Sequence, residues 1–299
     1  MENILVIGSS NTDMVILTER FPLPGETIVG GTFLLNPGGK GANQAVAAAR
    51  LGGNISFISR LGSDVFGATA LEGFKKEKIN VAHILIDKDE PSGTALITVN
   101  AEGENTIVVA PGANNRLLPS DLTALPMLLM DNDVLLMQLE IPLQTVVHAA
   151  EIAKKADKRV ILNPAPATQL PDELLDGLYL ITPNETEAEI LTGIAVTDFE
   201  SAQKAARYLR EKGVQNVIIT LGNKGAWVEA GEQSCHIPAP KVVAIDTTAA
   251  GDVFNGALSV AIAKNLDWIP AVEFACKVAA IAVTRIGAQA SAPYVHELN

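Results

Sequence analysis

Six short apolar runs recur along the chain: "NILVIG" (3–8), "NISFISRLG" (54–62), "DVLLMQLE" (133–140), "RVILNPA" (159–165), "LYLITPN" (178–184) and "NVIITLG" (216–222). Runs this short and this apolar read as strands buried on both faces. Helical spacing fills the gaps, over 40–51, 65–78, 143–157, 184–192 and 198–212. Thr197 and Glu200 fit a capping box for the last of these, with Gly213 just past its end. This alternation predicts an α/β fold, with a mostly parallel central sheet flanked by helices.

Two segments break the pattern. Residues 14–35 and 92–109 carry β-type runs punctuated by Gly and Pro, with no helix between them, and 92–109 reads as a hairpin. They predict a small inserted β-sheet, which could be a lid over a site or a surface for a partner. A pair of edge strands on the main sheet is the alternative. The last third holds the most apolar helices. Val253, Phe254, Ala257, Leu258, Ala261 and Ile262 recur at helical spacing, and residues 268–285 are apolar nearly all round.

Hydrophobic residues make up 48% of 299, enough for one large or two small domains. A net charge of −12 excludes a general nucleic-acid binder, which needs a basic footprint. It does not exclude a small anionic ligand held by local donors. The opening "MENILVIGSSN" has no basic n-region, and no stretch is long enough to span a bilayer, so a cytoplasmic protein is expected. Cys235 and Cys276 lie far apart and read as reduced. His83, His148, His236 and His296 show no metal-ligand spacing.

Several polar or glycine-rich turns follow apparent strands, where an α/β sheet binds ligands. In "DTTAAGDVFNG" (246–256) the β-type run "VVAIDTT" leads into a helix starting near Gly251. The small turn lets backbone N–H groups approach an anion at a helix N-terminus. Asp252 in that first turn either complements the helix dipole or acts as a general base toward an alcohol, beside a phosphoryl group held by the N–H groups. "NPGGKGANQA" (36–45) is not a P-loop, because Gly follows Lys40. It is either a glycine turn feeding a packed helix or a polyol site using Lys40, Asn43 and exposed backbone. Asn11 and Asp13 in "GSSNTD" (8–13) suit vicinal hydroxyls and suit turn chemistry equally. No dinucleotide fingerprint follows the first strand, which disfavours a nicotinamide oxidoreductase. Asn184 and Glu187 could hold hydrated Mg²⁺ or simply form a capping box. "TLGNKG" (220–225) is a phosphate or nucleotide candidate, and Glu140 could contact a ligand from the end of a central strand.

"GGKGANQAVAAARLGG", with Gly62 further on, and "DTTAAGDVFNGAL" resemble the two signature motifs of the ribokinase-like carbohydrate kinases. "NPAPA" (163–167), "TPNETEAE" (182–189) and "AVTRIGAQAS" (282–291) extend the resemblance over nearly the whole chain and point to D-ribose as the acceptor. The resemblance implies one α/β domain over 1–299, with 14–35 and 92–109 as a β lid and a homodimer formed through it. It implies transfer of the ATP γ-phosphoryl group to O5 of D-ribose. Asp252 would be the base, with an anion hole at Ala249, Ala250 and Gly251. Asn11, Asp13, Gly39, Lys40, Gly41, Asn43 and Glu140 match sugar-binding positions. Asn184, Thr220, Gly222, Gly225 and Gly251 match nucleotide-binding positions, with Glu187 near Mg²⁺; Cys276 lies on the nucleotide-side helix without a chemical role. Asp246, Thr248, Ala282, Arg285, Gly287 and Ser291 match a K⁺ site built largely from carbonyls. The alternatives are a kinase for fructose, deoxyribose or adenosine, and a catalytically silent sugar-binding protein.

Overall fold

The computed structural model describes residues 2–298. Its strands are β1 (Asn3–Ile7), β2 (Asn11–Leu17), β3 (Thr32–Gly38), β4 (Asn54–Gly62), β5 (Ile84–Asp87), β6 (Gly93–Val99), β7 (Asn105–Ala110), β8 (Val134–Met137), β9 (Arg159–Leu162), β10 (Leu180–Ile181), β11 (Asn216–Thr220), β12 (Ala226–Ala230) and β13 (Gln233–Ile237). The helices are α1 (Lys40–Arg50), α2 (Val65–Lys76), α3 (Leu125–Asp131), α4 (Leu143–Lys155), α5 (Asp172–Leu175), α6 (Glu185–Thr192), α7 (Phe199–Glu211), α8 (Ala250–Ala263) and α9 (Trp268–Ala282).

Nine strands form the main sheet in the order β13-β12-β11-β10-β9-β8-β1-β4-β5. It is parallel from β5 to β11 and antiparallel only at the β12–β13 edge. Side chains alternate through it. Ile4 and Val6 of β1 join a core with α1, α8 and α9, while Leu5 and Ile7 join one with α3, α4 and α7 on the other face. Both faces are therefore covered, as the apolar runs predict. After β1 the chain builds β4 and β5 on one side, then β8 to β11 on the other. Such a reversal leaves a crevice at the carboxyl ends of β1 and β8, where an open α/β sheet receives ligands.

The other four strands form a separate sheet, β3-β2-β6-β7, rather than edge strands of the first. Asn11 and Asp13 lie in β2, not in a turn. Residues 18–31 between β2 and β3 are irregular.

Three local expectations are corrected. The cap of α7 is Asp198, whose carboxylate accepts from Ser201 N at 2.8 Å; the box closes one residue later than Thr197 and Glu200 would place it. "VVAIDTT" forms no strand. Val243 and Ile245 are 85% and 65% exposed, and the N–H groups of Ile245 and Asp246 both donate to Val283 O. Its apolar side chains reach no core and no strand lies beside it, so α8 follows a loop. Third, β8 ends at Met137, which leaves Gln138 and Glu140 in the turn beyond it.

Helices α1 and α8 cross at Gly256, where a Cβ would lie 2.7 Å from Ala47 Cβ and 2.8 Å from Gln44 O. We expect Gly256→Val to push the helices apart and to cost ~2 kcal/mol or more. A thermal melt reads this. An unchanged melting temperature would show that the crossing has slack.

Candidate functional site

Missing side chains bring the pieces together. A Cβ on Gly41 would lie 2.6 Å from Gly8 C, and one on Gly39 would lie 2.6 Å from Asn11 N. Gly39 also has φ +88°, which a glycine adopts at no cost. The start of α1 therefore docks directly on the chain leaving β1, and Ala42 N donates to Ser9 O at 2.8 Å. Glu140 Oε2 accepts from Lys40 N at 2.9 Å and from Ser9 Oγ at 2.6 Å. The carboxylate caps the positive end of α1 and pins the β8 turn to it.

Asn11 and Asp13 share one face of β2. Asp13 pairs with Asn36 of β3, and the missing side chain of Gly38 leaves room for its carboxylate. Asn114, buried beyond β7, donates to Asn11 Oδ1 at 2.7 Å. That contact turns the Asn11 NH₂ group outward as a donor, next to Asp13 as an acceptor. Burial raises the Asp13 carboxyl to about 6, with the Glu140 and Asp252 charges adding to the effect.

Asp252 is 5% exposed. Its Oδ2 accepts from Asn43 Nδ2 and its Oδ1 from Gln44 Nε2, each at 2.9 Å. Burial raises its pKa, while Lys40 and the two amides pull it back. Burial equally opposes the Lys40 ammonium, but Asp252, Glu140 and Glu187 outweigh it, so Lys40 stays charged. Asn43 Oδ1 is buried and finds no partner among the described residues, leaving an acceptor for a ligand hydroxyl. Ahead of Asp252, Ala249 caps α8 with φ +59°. Of the three anion-hole candidates, Ala250 N donates to Thr247 O at 3.2 Å, whereas Ala249 N and Gly251 N have no protein acceptor among the described residues.

A cavity of about 940 Å³ opens on the other side of Asp252, within the range of small-molecule sites. Ala249, Ala250, Gly251 and Lys40 line it at the Asp252 end. Asn184, Glu187, Thr220, Gly222 and Gly225 line it along the ends of β10 and β11. Val242, Cys276, Ala279 and Val283 give it an apolar wall, so Cys276 acts by packing. Burial pushes the Cys276 thiol up to about 12, which keeps it protonated. Asn11, Asp13, Asn43 and Glu140 do not line the cavity. Asn43 bonds Asp252, Glu140 bonds the Lys40 backbone and Asp13 feels the Asp252 charge, so a polar group gathers beside the same carboxylate outside the cavity.

Asn184 and Glu187 form the capping box of α6, so that reading of the pair holds. Glu187 Oε2 accepts from Asn184 N at 2.8 Å and Oε1 remains available. One cavity-facing carboxylate oxygen beside a phosphate suits Mg²⁺, which keeps most of its waters. No cluster of three or more His, Cys, Asp or Glu exists among the described residues that could hold a metal alone. Behind the anion-hole turn, Asp246 accepts from Thr248 N at 2.9 Å and from Gly287 N at 2.8 Å, joining two loops. Ala288 O accepts from Ser291 Oγ and Ala282 O accepts from Arg285 N. The Arg285 guanidinium turns away to Glu297, 2.7 Å off. The atoms these loops could offer a cation such as K⁺ are oxygens, the Asp246 carboxylate and the carbonyls of Ala282 and Ala288.

Sequence reasoning missed the buried polar side chains under the site. Gln44, Gln138, Asn163, Thr182 and Asn255 are all buried and hydrogen-bonded to one another. Polar residues inside otherwise apolar runs were the available signal.

The pattern of pfkB family carbohydrate kinases matches residues 1–294. A protein from Haemophilus influenzae named ribokinase is 48% identical over 98% of this chain and 95% of its own. A deoxyribokinase from Salmonella typhi is 38% identical over 99% and 97%. The solved structure of Arabidopsis thaliana ribokinase complexed with ribose and ATP superposes with a TM-score of 0.92 at 33% identity, covering 99% of this chain and 96% of that one.

Asp13 makes a prediction of its own. Its folded pKa of about 6 exceeds the ordinary 3.8, so the folded state holds its proton more tightly. Its contribution to stability falls as pH rises from the unfolded to the folded value, and stays low above it. We expect Asp13→Asn to stabilise the ligand-free protein by ~1–2 kcal/mol at pH 7 and by little at pH 4. Melting temperatures at the two pH values test it; an equal or opposite shift at both refutes it.

Proposed function

The chain belongs to the pfkB family of carbohydrate kinases, and on that premise we propose that it is a ribokinase, transferring the γ-phosphoryl group of ATP to O5 of D-ribose. The observation that carries the reading is the placement of Asp252. A buried carboxylate, held by two amides, lines one end of a nucleotide-sized cavity, and the polar side chains of Asn43 and Asp13 gather beside it outside that cavity. Asn11 donates and Asp13 accepts at adjacent hydroxyls of the sugar, and Asn43 Oδ1 accepts a third contact. Asp252 takes the proton of the attacking hydroxyl. The N–H groups of Ala249 and Gly251, at the positive end of α8, hold the charge that builds on the transferring oxygens. Lys40 adds a positive charge beside them. Glu187 and the triphosphate would hold Mg²⁺, which supplies charge neutralisation to phosphoryl transfer. The Asp246 loops would hold K⁺, and their two hydrogen bonds to Asp246 brace the anion-hole turn from behind.

The similarity to deoxyribokinase supports a second acceptor, 2-deoxyribose, which differs by one hydroxyl. A site that pairs buried groups with a hydroxyl discriminates strongly against its absence. Asn11 and Asp13 therefore favour ribose.

We further propose a cytoplasmic homodimer formed through the second sheet; among the described residues no helix is long and apolar enough to cross a membrane. On the sheet face opposite Asp13, Phe33, Leu35, Leu96 and Val108 are 59%, 50%, 58% and 69% exposed. An apolar patch of this kind marks an interaction site, and a second copy is the partner proposed here.

Initial rates of ADP release with MgATP test the activity on D-ribose, 2-deoxyribose, fructose and adenosine, in K⁺ and in Na⁺. We expect the fastest rate with ribose and a higher rate in K⁺. Equal rates across acceptors would refute the assigned substrate, and equal rates in both salts would remove the cation site. Asp252→Asn should bind both substrates and lose ~10²–10⁴-fold in turnover. Near-wild-type turnover would overturn Asp252 as base. Light scattering should give a dimer mass for the wild type and a monomer mass for Phe33→Lys; a monomeric wild type would dispose of the dimer.

A further inference from the structure

Asp252 sits among charges that do not balance. Lys40 at the start of α1 faces it, as do Glu140 beyond β8, Asp13 on β2 and Glu187 on α6. One cation stands against three other carboxyl groups, so neutral donors must carry part of the load of keeping Asp252 ionised. Asn43 is one, and it belongs to the proposed sugar site. Gln44 is the other, and it is 0% exposed, so it touches no substrate.

The Gln44 amide is fixed at each end. One Nε2 proton goes to Asp252 Oδ1 at 2.9 Å and the other to Asn163 Oδ1 at 2.9 Å. Its Oε1 accepts from Gln138 Nε2 at 2.6 Å. A carboxylate only accepts, so the NH₂ end must face Asp252, which leaves Oε1 to accept from Gln138. The chain of bonds continues. Asn163 Nδ2 donates to Thr182 O at 3.4 Å, Thr182 Oγ1 donates to Asn255 Oδ1 at 2.6 Å, and Asn255 Nδ2 donates to Gly251 O at 2.8 Å. It crosses the ends of β8, β9 and β10 and finishes on the carbonyl of an anion-hole residue.

We propose that Gln44 is the positioning residue for the base: the buried polar chain Gln138–Gln44–Asn163–Thr182–Asn255 aims the Asp252 carboxylate, keeps it ionised, and fixes the base and the Gly251 turn as one rigid unit. The proposal rests on the reading of Asp252 as the general base. Removing the Gln44 donor leaves Oδ1 without its protein partner on a side chain that is only 5% exposed. That penalises the ionised form and leaves the protonated form nearly untouched.

The test is the pH dependence of the single-turnover rate, with the full-length protein, saturating MgATP and the best sugar acceptor. With the sugar bound, Asp13 is engaged, so the acid limb reports the base; kcat/KM for the sugar reports Asp13 as well. Gln44→Leu should move the acid limb up by about one pH unit, as the loss of one hydrogen bond to a buried charge predicts. Its rate should fall roughly tenfold below the limb and recover at alkaline pH, with KM for sugar and ATP within about twofold of wild type. Gln44→Glu, of equal shape, should move the limb further, because two carboxylates then share the site. Gln138→Leu frees the far end of the amide and should give a smaller shift of the same sign, which keeps the test alive if Gln44→Leu fails to fold. A uniform loss of rate with the limb unmoved would mark Gln44 as merely structural and overturn the proposal, as would a wild-type profile for Gln44→Glu. If Asp252→Asn stays active, the base assignment itself falls. If Asp252→Asn is inactive and the Gln44 limb stays put, only the positioning role falls.

Discussion

Helix α1 is pinned on two sides by glycines, one where α8 crosses it and one where its own first turn meets the chain leaving β1. Gly256 on α8 meets the backbone of Gln44 and the methyl of Ala47, and Gly41 on α1 meets the backbone of Gly8. The site depends on this contact. It brings Asn43 and Gln44, separated from Asp252 by more than two hundred positions in the chain, within hydrogen-bond distance of its two oxygens. A carboxylate this deeply buried is tolerated only with such donors. The close crossing and the burial of this carboxylate are therefore one requirement met by small residues.

The strand–helix alternation was legible because a doubly covered parallel sheet needs short, continuous apolar runs, and those survive as a pattern in the chain. Asp252, Lys40, Asn43 and Asn184 stood out because they sit in or beside glycine-rich and small-residue turns, and the structure gathers them around one cavity and its carboxylate. Other features lay beyond that reach. "VVAIDTT" has strand composition, yet composition carries no information on whether a neighbouring strand exists. Asp198 took the cap from Thr197 because either side chain could serve and only the final turn decides. Gln44 and Gln138 sit inside motifs read for glycine and apolar content, and a buried amide becomes informative only when its partners are known. Asn114 is a further case, since its role is to orient Asn11 from 103 positions away.

Electrostatically, the centre works against itself. Asp13, Glu140, Glu187 and Asp252 gather around one lysine, and burial raises the pKa of three of them. In the ligand-free protein this is a cost in stability. It is also what suits the centre to ligands, since hydroxyl donors and cations offset the excess negative charge as they enter. Tension of this kind is expected where function overrides stability.

Strand β2 carries two surfaces back to back. Asn11 and Asp13 lie on the face toward Asp252, while Ile16 on the alternate positions lies beside Phe33 on the opposite face. The two sets differ only in parity. A single residue inserted or deleted at the start of the strand would exchange them, turning Asn11 and Asp13 to the outer face and apolar side chains toward Asp252. Variation in this strand is thus constrained to whole pairs of residues. Evolution could lengthen the loop at 18–31 freely, but it could alter the reach of β2 only in steps of two.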